Sequence, residues 1–488
     1  MRKFWICLIP VAFLAAWAQT PPMPQPAASK AAKEAFKNKA PVSKDVLKVK
    51  LPNAVEMHLD NGLTVLILEN HRLPQVSITM QIRGSGGLFD PSGMTGLAGV
   101  TAQMMREGTA TRSSKQIAEE SDRLAASVGA SASTDSQFGD VFMSGLTDNF
   151  NDWFALGTDI LLHPSFPADE WTKLKQRQLV ALRQQRTSPT FLAAERFSKA
   201  VYGEFPAATV SPTAASVEAI TPDAMKKFWA EHYVPQNAIV GVVGDVTPAE
   251  IMAKLKAALG GWKKTEWTPK LPADPTPAAG PRVLLVNRPG SVQTNLLMGN
   301  IAINRTSPDY PAFVVMNQVL GAGSTARLFN NLREDKGYTY GAYSSFTSSV
   351  FPGPWRANAE VRTDVTEGSM REFFNEFRRI REEKVPAAEL EEKKRAVVAG
   401  FAMSLESPST LLNLALTRKA YGLPLDYWDT YPAKIAAVTS EEVQRVAAKY
   451  LSLDNIQIVA VGDAAKIKSV LEKYGKITVF DTDGKVVD

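Results

Sequence analysis

One stretch of this 488-residue chain occurs twice. Thr221, Ala230, Asn237, Val243, Gly244 and Asp245 recur as Thr439, Ala448, Asn455, Val461, Gly462 and Asp463, each 218 residues later and with no gap between. Two unrelated helix–strand–helix units would not keep residue type, order and spacing together, so the shared register points to a duplicated domain. Each threonine is placed to cap a helix with an acidic first turn, and each helix runs to a tyrosine, Tyr233 or Tyr450. Each asparagine then opens an apolar strand closed by Gly-Asp and followed by another helix. Hydrophobic types make up 45% of the residues, enough apolar surface for two cores at the usual ~100–200 residues per domain. Residues 268–281 carry five prolines and no apolar period, as a linker would. The domains are therefore placed at 49–265 and 279–488, joined by residues 266–278.

Within the first half, residues 55–60 and 63–68 flank Asn61-Gly62, a hairpin signal, and residues 75–82 alternate as a third strand. Helical periods follow at 115–128, 151–162, 168–186 and 190–202. The second half repeats the theme, with strands at 283–286 and 295–301 and helices at 310–320, 366–383 and 387–404. Strands that meet strands, with helices gathered between them, predict an α+β fold of two duplicated α/β sandwiches rather than an alternating parallel sheet.

The amino terminus reads as a targeting device. Arg2 and Lys3 precede an apolar run from Phe4 to Ala16, and Ala16-Trp17-Ala18 offers small residues where a signal peptidase reads, so cleavage is expected after Ala18. The run is shorter than the ~20 residues of a bilayer span, and Pro10 interrupts it. Residues 19–48, with Pro21, Pro22, Pro24 and Pro26 ahead of a polar tract, read as a flexible leader. The expected product is secreted or periplasmic, with no membrane span after cleavage. The only cysteine, Cys7, lies inside the removed segment, which excludes a disulfide framework and a cysteine-rich zinc module. A formal charge of +5, spread without a basic block, gives no sign of a nucleic-acid partner.

Four motifs in order then point to a family. Leu59-Asp60-Asn61-Gly62-Leu63-Thr64-Val65, the glycines from Gly84 to Gly87, Gly93-Met94-Thr95-Gly96-Leu97-Ala98 and Met105-Arg106-Glu107-Gly108-Thr109 resemble the insulinase and pitrilysin type of zinc peptidase, an inverzincin family that includes the mitochondrial processing peptidase. Leu320-Gly321-Ala322-Gly323-Ser324, Arg327-Leu328-Phe329 and Leu332-Arg333-Glu334 extend the likeness into the second half. The resemblance implies duplicated α+β domains that form half of a clamshell around a peptide. It also implies a zinc site built on H-x-x-E-H, where two histidines one helical turn apart hold the metal and the glutamate is the general base. Here those positions read Gly99-Val100-Thr101-Ala102-Gln103, and the later glutamate ligand aligns with Ala181. Gly99, Ala102 and Ala181 offer no lone pair, and the one amide of Gln103 is a poor ligand, so no metal is expected in this chain. His58, His71, His163 and His232 share no i, i+4 face and read as surface or helix-end residues.

The resemblance also assigns Arg333 and Tyr340, seven residues apart, to an arginine–tyrosine pair that holds the scissile carbonyl opposite the zinc of a partner chain. A guanidinium and a phenol are donors suited to an oxyanion. A purely structural reading has Arg333 pair with a nearby acid and Tyr340 pack on a strand. Gly321, Ala322 and Gly323 resemble the family's substrate-contacting loop, and a Gly-x-Ser-x-Gly elbow is absent. The expectation is a non-catalytic, substrate-binding subunit of a heterodimeric zinc metalloendopeptidase whose H-x-x-E-H paralogue holds the zinc. The alternative is a structural or peptide-binding assembly protein with no part in proteolysis.

Overall fold

A computed structural model describes residues 46–487; the signal segment, its cleavage point after Ala18 and the leader up to residue 45 lie outside the described residues. The first half runs β1 (Val55–His58), β2 (Thr64–Glu69), β3 (Gln75–Arg83), α1 (Leu97–Met105), α2 (Ser114–Arg123), β4 (Ser127–Ala132) and β5 (Phe138–Leu146). It continues with α3 (Phe150–Leu162), α4 (Ala168–Gln185), α5 (Pro189–Tyr202), α6 (Ala214–Ala219), α7 (Pro222–His232), β6 (Ala238–Gly244) and α8 (Pro248–Leu259). The second half opens with β7 (Arg282–Asn287), β8 (Gln293–Ile303), α9 (Tyr310–Leu320) and α10 (Arg327–Phe329), which passes into a π-helical turn at Asn330–Asp335. After that come β9 (Thr339–Phe346), β10 (Gly353–Arg362), α11 (Thr366–Glu382), α12 (Ala387–Ser404), α13 (Pro408–Ala420), α14 (Tyr427–Ala437), α15 (Ser440–Tyr450), β11 (Gln457–Gly462), α16 (Ala464–Leu471) and β12 (Lys476–Phe480).

The internal repeat sits where its chemistry requires. Thr221 accepts the backbone N–H of Ala224 and starts α7, while Thr439 and Glu442 form a capping box on α15. Tyr233 and Tyr450 mark the ends of these helices, and β6 and β11 follow. The two halves build sheets of the same plan, with strand orders β1-β2-β6-β3-β5-β4 and β12-β7-β11-β8-β10-β9. The sense of pairing repeats as well: β2 and β6 are parallel like β7 and β11, and β3 and β6 are antiparallel like β8 and β11. The outermost strand differs, since β1 is antiparallel to β2 but β12 is parallel to β7. The fold is α+β, each sheet carrying its own helical layer over one face, with separate cores around Trp153 and Trp355.

The other faces are covered by exchange. Helix α5 of the first half lays Leu192, Phe197 and Val201 on Leu297, Val459 and Val461 of the second sheet. Helix α13 of the second half lays Leu412 and Leu416 on Leu66, Leu68 and Val243 of the first. Gly241 makes room for it, because a Cβ there would stand 2.7 Å from the Leu412 Cδ1.

Three expectations change. The helix predicted through residue 128 stops at Arg123, because Ala125 adopts φ 48° and β4 begins at Ser127. The strands β4, β5, β9, β10 and β12 fall outside the expected elements. Residues 266–278 carry no helix or strand, but Trp267 is no free tether: it packs against Phe89 and His232. Among the described residues no helix is long and apolar enough to cross a membrane.

Candidate functional site

The positions that hold metal in H-x-x-E-H peptidases lie on α1. Gly96 enters this helix with φ 97°, and the Asp90 carboxylate accepts the N–H groups of Gly96 (2.6 Å) and Ala98 (2.7 Å) in place of an N-cap side chain. Burial pushes the Asp90 carboxyl up to about 6, against the pull of those two donors. The helix lies close on the edge strand β4, since a Cβ at Gly99 would stand 3.1 Å from the Ala132 carbonyl oxygen. Ala102 is fully buried, and Gln103, one turn after Gly99, is exposed. From α4 the Gln178 amide donates to the Gln103 Oε1 at 3.4 Å, while Ala181 is exposed one turn further on. The structure thus brings α4 to α1 through Gln178. None of the four aligned positions carries an imidazole or carboxylate, so the donor set does not fit zinc.

The histidines are engaged separately. His58 neighbours Glu56 at 3.4 Å, His163 bonds Asp159 at 3.1 Å, and His71 lies between Asp245 (2.5 Å) and Glu69 (2.7 Å). The Asp245 hydrogen bond, then that of Glu69, holds the His71 imidazole above its usual range. His232 ends α7, as expected, but its side chain is buried rather than at the surface. Only 8% exposed, it stacks on Phe228 with ring centroids 4.0 Å apart, and its Nδ1 lies 2.7 Å from the Gly84 carbonyl oxygen.

In the second half, Arg333 stands on the π-helical turn, a rare geometry that recurs at functional sites. Buried polar groups clamp that turn and the loop before it. Arg327 makes a bidentate pair with Glu389 on α12 at 2.8 Å, and Lys393 donates to the Thr325 carbonyl at 2.8 Å. Asn331 donates to Glu372 (3.2 Å) and Glu376 (2.9 Å) on α11. Arg333 itself is exposed, pairs with Glu334 at 3.0 Å and covers the Phe329 ring at 4.9 Å. The loop of Gly321, Ala322 and Gly323 abuts β9: Gly321 is buried and its carbonyl accepts the Ser344 N–H, so the open part begins at Ala322. A Cβ on Gly321 would stand 2.3 Å from the Ser344 nitrogen, which is why glycine is needed there.

Tyr340 is 90% exposed. The cause is a β-bulge: Ala342 pairs with Ala359 and Thr339 with Val361, leaving Tyr340 and Gly341 opposite Glu360 alone. Thr339 fixes the bulge, its Oγ1 accepting the Gly341 N–H (3.1 Å) and donating to the Glu360 carbonyl (2.7 Å). On this edge of the sheet Tyr340 lines a groove of about 610 Å³ with Tyr343, Arg356, Asn358 and Glu360, walled by Thr190 and Ala193 of α5. No hydrogen bond among the described residues joins Arg333 to Tyr340. The groove residues beyond Tyr340 escaped sequence reasoning, though the alternation of Arg356, Asn358 and Glu360 with buried Ala357, Ala359 and Val361 was a legible strand signal.

Fold and site together define a peptidase-like protein whose aligned metal positions carry neither imidazole nor carboxylate. Residues 64–209 match the model of the insulinase family, peptidase family M16, and residues 219–397 match that of the peptidase M16 inactive domain. The two matches together span more than half of the chain, and the protein belongs to the M16 family. It is 28% identical to a Pseudomonas fluorescens structure described as a peptidase M16 inactive domain, with a TM-score of 0.79 over 84% of this chain and 98% of that one. It is similar to a zinc protease of Rickettsia bellii, 27% identical over 71% of this chain and 83% of the relative. A Helicobacter pylori protein named a non-peptidase homolog is 22% identical over 83% of this chain and 93% of its own. The fold also matches the periplasmic protease PqqL of Escherichia coli with a TM-score of 0.73, over 90% of this chain but 51% of the longer one.

Proposed function

We propose that this chain is the non-catalytic, peptide-binding subunit of a zinc metalloendopeptidase heterodimer that works outside the cytoplasm after loss of residues 1–18. A paralogue with H-x-x-E-H would hold the zinc, and Arg333 and Tyr340 would donate to the scissile carbonyl oxygen as it gains charge. The observation that carries this reading is the exposure of Tyr340. A phenol held 90% in solvent by a bulge, with no hydrogen bond of its own, stabilises nothing in this chain and is free to reach another. Arg333 can release Glu334 at little cost, because an exposed ion pair contributes about 0–1 kcal/mol. The backbone of Ala322 and Gly323 borders the same edge and is placed to meet an extended peptide.

Reconstitution tests the proposal. This chain and the H-x-x-E-H paralogue from the same organism are purified singly, mixed, and assayed on unstructured peptides and by gel filtration. Neither alone should cleave, and the mixture should elute as one complex, as an interface of roughly 1,200–2,000 Å² would ensure. A paralogue that is fully active alone and never co-elutes would refute the heterodimer. A complex that forms without gain of activity would favour the structural-subunit alternative.

A further inference from the structure

A second cavity, of about 760 Å³, lies in the first half; its lining reaches the start of α1 at Leu97 but includes none of Gly99, Ala102, Gln103 and Ala181 and none of the Tyr340 groove residues. Its floor and walls are aromatic and apolar: Phe89, Met94 and Leu97 on one side, Phe228 on another, and Trp267 from the linker as the third. Gly84 makes this wall possible. A Cβ there would stand 2.3 Å from the Trp267 ring, so the indole closes down only onto a glycine. Trp267 then meets the His232 ring edge-on at 4.5 Å. Volumes of ~300–1,000 Å³ with apolar linings and a few placed polar groups characterise ligand sites.

His232 is the polar group placed here. Its Nδ1 lies 2.7 Å from the Gly84 carbonyl oxygen, which can only accept, so Nδ1 carries the hydrogen and donates. Nε2 therefore presents a lone pair, and the ring lines the cavity. Burial lowers the imidazole pKa, which favours this neutral form. At the mouth stand Lys227, Glu231, Glu266 and Lys270, all exposed, and none of them takes part in an ion pair or side-chain hydrogen bond among the described residues. Two cations and two anions around an aromatic slot match a ligand that is aromatic at one end and carries both charges at the other.

We propose that this cavity binds an indole or phenol ring carried by an amino acid or short peptide, with His232 Nε2 accepting the ring N–H or O–H and Trp267 packing against the ring. The inference does not depend on the roles of Arg333 and Tyr340. Calorimetric titration of the whole mature chain with L-tryptophan, 1-methyl-L-tryptophan and N-acetyl-L-tryptophanamide tests it. Tryptophan should bind saturably, and the 1-methyl analogue, which keeps the ring but has no donor, should bind about 2–10-fold more weakly, the range of one hydrogen bond. His232→Phe keeps a stacking ring and should erase the difference between the two. If that variant fails to fold, the ligand comparison on the parent chain still decides. Tighter binding of tryptophan than of the capped amide would identify a free amino acid or peptide terminus as the occupant, and equal binding an aromatic residue within a peptide. No saturable binding at millimolar ligand, or equal affinity for tryptophan and its 1-methyl analogue, would overturn the proposal.

Discussion

Replacing Tyr340 by phenylalanine separates catalysis in trans from everything else this residue could do. The hydroxyl is in solvent and makes no hydrogen bond, so its removal should change folding stability by no more than about 0.5 kcal/mol. If that hydroxyl donates to the oxyanion at the partner's zinc, its loss should cost about 10²–10³ in kcat of the complex, with KM nearly unchanged. Arg333→Ala differs in a calculable way. It removes an exposed pair with Glu334, about 0–1 kcal/mol, and the cation–π contact with Phe329, about 0.5–1 kcal/mol. Together these come to about 0.5–2 kcal/mol, which at about 2–4 °C per kcal/mol lowers Tm by at most about 8 °C, while kcat and KM should both suffer. Tyr338→Phe is the control. Tyr338 is half-buried with its hydroxyl against the first turn of α11, where a Cβ on Gly368 would stand 2.9 Å from it. Steady-state kinetics on the reconstituted complex, with gel filtration and zinc content for each variant, gives the answer. If Tyr340→Phe and Tyr338→Phe both leave the complex as active as the parent, the contribution in trans is wrong and the structural-subunit reading is the better one.

Other outcomes follow from the same structure. Metal analysis of the isolated chain should find well under one zinc per molecule, because Gly99, Ala102 and Ala181 have no donor and Gln103 has one amide; one chelatable zinc per chain would contradict this. Phe197→Ala, in the core between α5 and the second sheet, should cost about 3–5 kcal/mol and lower hydrogen-exchange protection in β8 and β11, which belong to the other half. Loss of protection confined to α5 would mean that the exchanged helix does not support that sheet. Arg445 above all, with Lys449 and Tyr450, holds the Asp309 carboxyl well below its usual range. A depressed carboxyl stabilises the fold above its unfolded pKa of about 4 and loses that contribution as pH falls further, so Asp309→Asn should flatten stability against pH below about 4 in acid-denaturation curves. An unchanged acid limb would refute this role.

What the sequence made legible follows physical rules. The helices at Tyr310–Leu320 and Ala387–Ser404 fall where apolar periodicity places them, and Thr221 and Thr439 start their helices by capping. Strand β4 was hidden because Ser-Val-Gly-Ala-Ser-Ala has almost no hydrophobic alternation; α1 and β5 supply its partners instead. The exposure of Tyr340 could not be read from strand parity, which would group it with buried Ala342 and Ser344; the bulge at Glu360 breaks that parity. Trp267 sits in a proline-rich stretch that reads as linker, and its seat on Gly84 is a contact remote in sequence. Local pattern carries capped helices well and carries little about contacts that only the folded chain brings together.

The exchanged helices explain how the fold holds together without metal ligands at the aligned positions. Each sheet has one face covered by a helix from the other half, so the halves depend on each other whether or not either does chemistry. The positions aligned with the family's metal ligands contribute little to that arrangement. Gln103 and Ala181 are exposed, Gly99 is half-buried beside the edge of β4, and Ala102 fits a buried site by being small. Stability therefore places little demand on those positions, and equally little on the exposed phenol at the bulge of β9. The clamps on the second half point the same way: Arg327 with Glu389, Lys393 with Thr325, and Asn331 with Glu372 and Glu376 remove charged and polar groups from water to fix one short turn. Burying such groups is at best a weak source of stability compared with apolar packing, and the turn they fix is the one that presents Arg333.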